Sequence, residues 1–104
     1  MAQPIRIGVI GVGFGARVHI PAYISEGLDV VAVCSRREER AIETAERFGI
    51  PKAFTDHRLM LKMAGLDAVA VVTPQELHHA VVMDVLAARK HVICEKPFAT
   101  TLDD

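Results

Sequence analysis

Short apolar runs alternate along the chain with longer segments whose apolar positions recur at helical spacing. Ile5 to Ile10, Leu28 to Cys34, Pro51 to Phe54, Ala68 to Val72 and His91 to Cys94 read as strands. The first run is mostly branched apolar residues, as in a parallel strand buried on both faces. Helices are expected from Ala16 to about Glu26, from Arg36 to about Phe48, briefly after Asp56, and from Thr73-Pro74 to about Ala88. Pro21 falls inside the first and should shorten, kink or restart it. Ser35 and Glu38 form a capping-box pattern for the second, and Gly49 gives it a stop. Asp56 can cap the brief helix, which carries Leu59, Met60 and Met63 and ends at Gly65. Thr73 as N-cap, Pro74 at the first helical position and Glu76 as the box acid make a compact start for the fourth. Glu95-Lys96-Pro97 then breaks regular structure, and Thr101 to Asp104 reads as the first turn of another helix.

This strand–helix rhythm with short links predicts the α/β class. A doubly wound parallel sheet with right-handed crossovers would carry helices on both faces. Ligands on such sheets bind at the carboxyl ends of the strands, where strand order reverses. Gly11, Ser35, Thr73 and Glu95 all sit at expected strand ends. They should therefore converge on one edge although they are far apart in the chain.

Composition narrows the classes. A length of 104 residues allows one domain at most, and 51% apolar residues with a net charge of -1 fit a compact domain rather than disorder. That charge makes no global case for nucleic acid or an anionic membrane. No apolar stretch approaches the ~20 residues that span a bilayer, and no signal-peptide pattern opens the chain. Cys34 and Cys94 are the only cysteines and close expected buried strands, so both read as reduced core residues of a cytoplasmic protein.

The candidate chemistry begins at Gly11-Val12-Gly13-Phe14-Gly15-Ala16. A strand followed by a glycine turn and a helix start is the order that sets a dinucleotide pyrophosphate against a helix N-terminus. Gly11 allows the tight turn, Gly13 lets backbone approach phosphate, and Ala16 keeps helix and strand close. The alternative is a βα turn with no ligand. At the end of the second strand, an NAD site usually has an acid for the ribose 2′-hydroxyl. Here Ser35, Arg36 and Arg37 offer donors and positive charge instead, which favours the 2′-phosphate of NADP, with NAD as the alternative. The bland reading is a capping Ser35 and solvated arginines. Lys96, restrained between a strand end and Pro97, is the candidate catalytic group: it can bond a substrate hydroxyl beside a nicotinamide and help its proton leave. Glu95 would orient Lys96 or stay solvated. His78 and His79 point about 100° apart on one helix, with His78 nearer the expected cleft. His19, His57 and His91 share no metal-ligand spacing.

The glycine motif, Thr73-Pro74-Gln75-Glu76-Leu77-His78 and Lys90-His91-Val92-Ile93-Cys94-Glu95-Lys96-Pro97, taken together, resemble the N-terminal domain of the Gfo/Idh/MocA oxidoreductases. The likeness runs over essentially the whole chain. It implies a Rossmann domain and NAD(P)-dependent oxidation or reduction of sugars and cyclitols. It implies that the glycine loop holds pyrophosphate and that Ser35 stands at the cofactor-selecting position. Thr73 and Pro74 would line the nicotinamide side, His78 would lie near the cofactor pocket, and Lys96 would contact nicotinamide ribose and substrate. Gln75 stands where the family more often has Asn, Arg89 where it usually has Gly, and Ser35 where Asp is common. The family's second, α+β substrate domain is not in this sequence, and the sixth sheet strand would follow the helix at Thr101. The expectation is therefore an incomplete dinucleotide-binding domain over 1–104, inactive by itself, with assembly through the other domain. The rival reading is a non-catalytic dinucleotide-sensing module.

Overall fold

A computed structural model describes residues 4–11, 14–72 and 75–94; for residues 14–17, 75–78 and 94 it describes the backbone alone. Among the described residues five strands and four helices alternate: β1 (Arg6–Ile10), α1 (Phe14–Ser25), β2 (Asp29–Cys34), α2 (Glu38–Phe48), β3 (Lys52–Phe54), α3 (His57–Met60), β4 (Ala68–Val71), α4 (Gln75–Ala87) and β5 (His91–Cys94). The strands form one sheet in the order β3-β2-β1-β4-β5, and every pairing is parallel. This is the doubly wound arrangement expected from the strand–helix rhythm. From β1 the chain steps outward to β2 and β3, then returns to the other side of β1 for β4 and β5. Order therefore reverses between β1 and β4.

The sheet has a packed core on each face. Ile7 and Val9 of β1, Val30 and Val33 of β2, and Ala68 and Ala70 of β4 meet Ile20 and Tyr23 of α1 and Ala45 of α2. On the other face, Ile10, Val31, Cys34, Val69 and Val71 meet Met60 of α3 and Val81 and Val85 of α4. The period-2 alternation of β1 and β4 sorts their side chains between these clusters. In β2 the register shifts opposite Ile7/Gly8, and Val31 is the extra residue. That bulge puts Val30 and Val33 on one face despite their odd spacing.

Several boundaries differ from expectation. α1 starts at Phe14 and runs through Pro21 instead of shortening or restarting there. Ile20 and Tyr23, 0% and 7% exposed, anchor the helix on both sides of the proline. Their burial outweighs the lost backbone bond, a cost of about 3 kcal/mol. α2 starts at Glu38, not Arg36, and its N-cap is Arg37 with no side-chain cap. The capping box between Ser35 and Glu38 does not form. Ser35 N–H donates to Phe54 O at 3.0 Å, continuing the β2–β3 ladder, and Ser35 Oγ accepts from Arg37 N–H at 3.2 Å. Backbone held as strand at Ser35 cannot also open a helix at Arg36. Other expectations hold: Gly49 closes α2 in the left-handed region, Asp56 Oδ1 accepts from Arg58 N–H at 3.0 Å to cap α3, and β5 spans His91–Cys94, but α3 stops at Met60, short of Met63 and Gly65.

Candidate cofactor site

The carboxyl ends of the central strands meet at Gly11. Its φ of 96° lies where side chains are disfavoured, so glycine is needed for the turn out of β1. Gly11 N–H donates to Cys34 O at 2.8 Å, which fastens the turn to the end of β2. On the other side Val72 N–H donates to Ile10 O at 2.8 Å, so the end of β4 abuts the same point. Gly11, Ser35 and Val72 thus share one edge across the strand-order switch, and residue 73 follows directly. Of the four strand-end positions expected to converge, Gly11 and Ser35 share this edge, and Thr73 and Glu95 lie outside the described residues.

Phe14, Gly15 and Ala16 form the first turn of α1, which begins three residues after Gly11. Gln75 and His78 lie in the opening turns of α4. His79 is exposed. Gly13, Thr73, Pro74, Glu95, Lys96 and Pro97 lie outside the described residues, and so does the helix turn expected at Thr101.

The loop from β2 to α2 gives the clearest electrostatic picture. Arg36 and Arg37 are exposed, and neither has an ion-pair partner among the described residues. They precede the helix rather than occupying its first turn, so they do not oppose the helix dipole from within. The first-turn positions belong to Glu38 and Glu39, which complement the dipole. Ser35 Oγ is engaged by the Arg37 N–H, and the N-cap residue Arg37 makes no side-chain cap hydrogen bond to α2. Cys34, buried just before this loop, has its thiol pushed up to about 11, first by burial and then by the Asp56 carboxylate. It is therefore a neutral packing group, not a nucleophile. Asp56 is itself held below the usual carboxylate range, chiefly by the backbone N–H of Arg58.

Two features escaped sequence reasoning. Phe54 O holds Ser35 in strand geometry, a contact between residues 19 positions apart that only sheet pairing reveals. A cleft of about 260 Å³ between Glu38 and Ile42 of α2, Ala53 and Phe54 of β3 and Leu59 lies against the open β3 edge. It does not include Gly11. Among the described residues, no helix is long and apolar enough to cross a membrane.

Comparison with known proteins agrees with this geometry. The model of an oxidoreductase family described as having an NAD-binding Rossmann fold, GFO_IDH_MocA, matches residues 5–104. The chain is 36% identical over 102 residues to D-glucoside 3-dehydrogenase of Escherichia coli (strain K12), covering 96% of this chain and 29% of that one. It is 35% identical over 101 residues to D-xylose 1-dehydrogenase (NADP(+)) 2 of Haloferax volcanii, covering 96% and 31%. The crystal structure of scyllo-inositol dehydrogenase from Lactobacillus casei with bound NAD(H) and scyllo-inositol superposes with a TM-score of 0.83 at 28% identity, over 91% of this chain and 28% of that one. The chain thus spans about three tenths of the length of these relatives. The match over nearly every residue, on the fold and the glycine turn described above, shows that the chain belongs to the Gfo/Idh/MocA oxidoreductase family and carries its NAD-binding Rossmann fold.

Proposed function

We propose that this chain is the cofactor-binding part of an oxidoreductase that moves hydride between nicotinamide C4 and a carbinol carbon of a sugar- or cyclitol-like alcohol, with NADP preferred over NAD. The observation that carries the reading is the bond from Gly11 N–H to Cys34 O. It puts the glycine turn and the Ser35-Arg36-Arg37 loop side by side at the strand-order switch. A dinucleotide laid across that edge has its pyrophosphate at the start of α1 and its adenosine ribose at the end of β2. Arg36 and Arg37, with no ion-pair partner among the described residues, would receive a 2′-phosphate there together with the amide end of α2. The substrate class follows the relatives, which are named for glucoside, xylose and inositol substrates.

The remaining roles follow the family motifs. Gly13, Phe14, Gly15 and Ala16 would wrap the pyrophosphate. Thr73, Pro74, Gln75 and His78 would line the nicotinamide side. Lys96, set between Glu95 and Pro97, would bond the substrate hydroxyl and help its proton leave as hydride departs. The bound dinucleotide supplies the hydride acceptor, and the protein supplies position and proton management.

A calorimetric titration of this chain with NADPH and with NADH tests the proposal. NADPH should bind more tightly. Arg36→Ala or Arg37→Ala should weaken NADPH roughly 10-fold or more, the worth of a charge-assisted hydrogen bond, and leave NADH nearly unchanged. Equal affinities with no effect of either variant would remove the NADP preference, and binding of neither cofactor would overturn the site.

A further inference from the structure

Two strands, not one, end beside the Ser35-Arg36-Arg37 loop. Cys34 of β2 is in register with Phe54 of β3, and the bond from Ser35 N–H to Phe54 O carries the pairing one residue further. Paired parallel strands lie about 4.8 Å apart. Arg36 therefore leaves the end of β2 next to the place where Thr55 and Asp56 leave β3. Charge reports the same closeness, because the Asp56 carboxylate adds to the effect of burial in raising the Cys34 thiol. Asp56 is held below the usual carboxylate range, so it is ionised at neutral pH. A bare carboxylate at that place would repel a phosphate, as an acid at position 35 would.

The carboxylate is not bare. Its Oδ1 accepts from Arg58 N–H at 3.0 Å and lies 3.5 Å from Arg58 Nε. The second contact folds the Arg58 side chain back over the N-cap, toward the strand ends, instead of outward along α3. We propose that Arg58 is a further cofactor-selecting residue, which neutralises Asp56 and so lets Arg36 and Arg37 act on the 2′-phosphate of NADP unopposed from β3. This role rests on the NADP preference proposed for the Ser35-Arg36-Arg37 loop. Holding α3 does not account for the side-chain contact. The cap uses the backbone N–H, which any residue but proline supplies, and the ion pair joins side chains 73% and 43% exposed, where such pairs add little stability. Glu38, the first acid of α2, lines the cleft along the β3 edge.

Titration of variants of this chain with NADPH and with NADH tests the role. Arg58→Ala keeps the capping N–H, and Asp56→Asn keeps a capping oxygen, so both leave the start of α3 in place. Arg58→Ala should weaken NADPH roughly 5- to 10-fold and change NADH less than about 2-fold. Asp56→Asn should bind NADPH at least as tightly as the parent. In that background Arg58→Ala should cost less than about 2-fold, because no carboxylate remains to be neutralised. An equal loss of both cofactors in Arg58→Ala would make Arg58 a structural residue and overturn the proposal. A full loss of NADPH on adding Arg58→Ala to Asp56→Asn would overturn it too. If Arg36→Ala weakens NADPH and Arg58→Ala does not, this inference falls and the NADP preference stands. If NADPH and NADH bind alike and neither Arg36→Ala nor Arg37→Ala changes that, both fall.

Discussion

Gly8 of β1 and Met60 of α3 compete for one space: Met60 Cε lies 2.9 Å, and Sδ 3.0 Å, from where a β-carbon on Gly8 would sit. Gly8 is therefore a packing glycine in the middle of a strand, while Gly11 is the turn glycine. Met60 is fully buried and reaches the centre of the sheet because Gly8 leaves it room. Gly8→Ala should cost about 1 kcal/mol, since the far end of Met60 can shift, and Gly8→Val about 3 kcal/mol. Met60→Ala should cost about 2–5 kcal/mol by leaving a cavity. In that background Gly8→Ala should become nearly neutral. Urea midpoints of the parent and these variants check this, and an equal cost of Gly8→Ala in both backgrounds would show that Met60 is not the obstacle.

Arg89 sits at φ 63° in the turn after α4, where its N–H donates to Leu86 O at 2.9 Å. A non-glycine side chain in this left-handed conformation carries a local cost of about 1 kcal/mol. Arg89→Gly should raise stability by about 1 kcal/mol and Tm by roughly 4–8 °C. A thermal melt with no gain would mean that Arg89 makes compensating contacts.

Gly65 shows the opposite case. Its φ is 83°, and the Arg6 guanidinium packs where a β-carbon would be. Arg6 N–H also donates to Asp67 Oδ2 at 2.9 Å, so this corner closes the amino end of β1 against the start of β4. Gly65→Ala should destabilise by about 2 kcal/mol, from backbone conformation and displaced arginine together. Adding Arg6→Ala should relieve only the second part. Complete rescue in chemical denaturation would mean that the backbone carries no strain.

Cys34 predicts an alkaline limb in stability. Its folded thiol is raised from 9.0 to about 11, so the unfolded chain loses this proton first as pH rises. The contribution is fully present below pH 9 and is lost between about pH 9 and 11, with a size on the order of 2 kcal/mol. Cys34→Ala should flatten that part of the stability–pH curve relative to the parent. Parallel curves for the two proteins across pH 9 to 11 would refute the assignment.

Much of the site was legible because strand ends are legible. Gly11 and Ser35 each follow an apolar run, and a parallel sheet with right-handed crossovers gathers such positions at one edge. Arg36 and Arg37 were visible as cations in place of an acid. The later start of α2 was not visible. Ser35 followed by Glu38 reads locally as a helix cap, and only the bond to Phe54 O keeps Ser35 in the strand and moves the helix start to Glu38.

The sequence by itself determined the order and kind of the elements, the turn at Gly11 and the placing of Gly11 and Ser35 at adjacent strand ends. Those depend on period, turn chemistry and backbone freedom, which act within a few residues. Tertiary structure decided what depends on distant partners. Ile20 and Tyr23, held in the core, carried α1 through Pro21. The bulge at Val31 re-sorted β2 between the two faces, and Met60 explained Gly8. Burial and pairing energies at these places exceed local propensities of about 1 kcal/mol per residue, so the packed neighbour, not the adjacent residue, set the outcome.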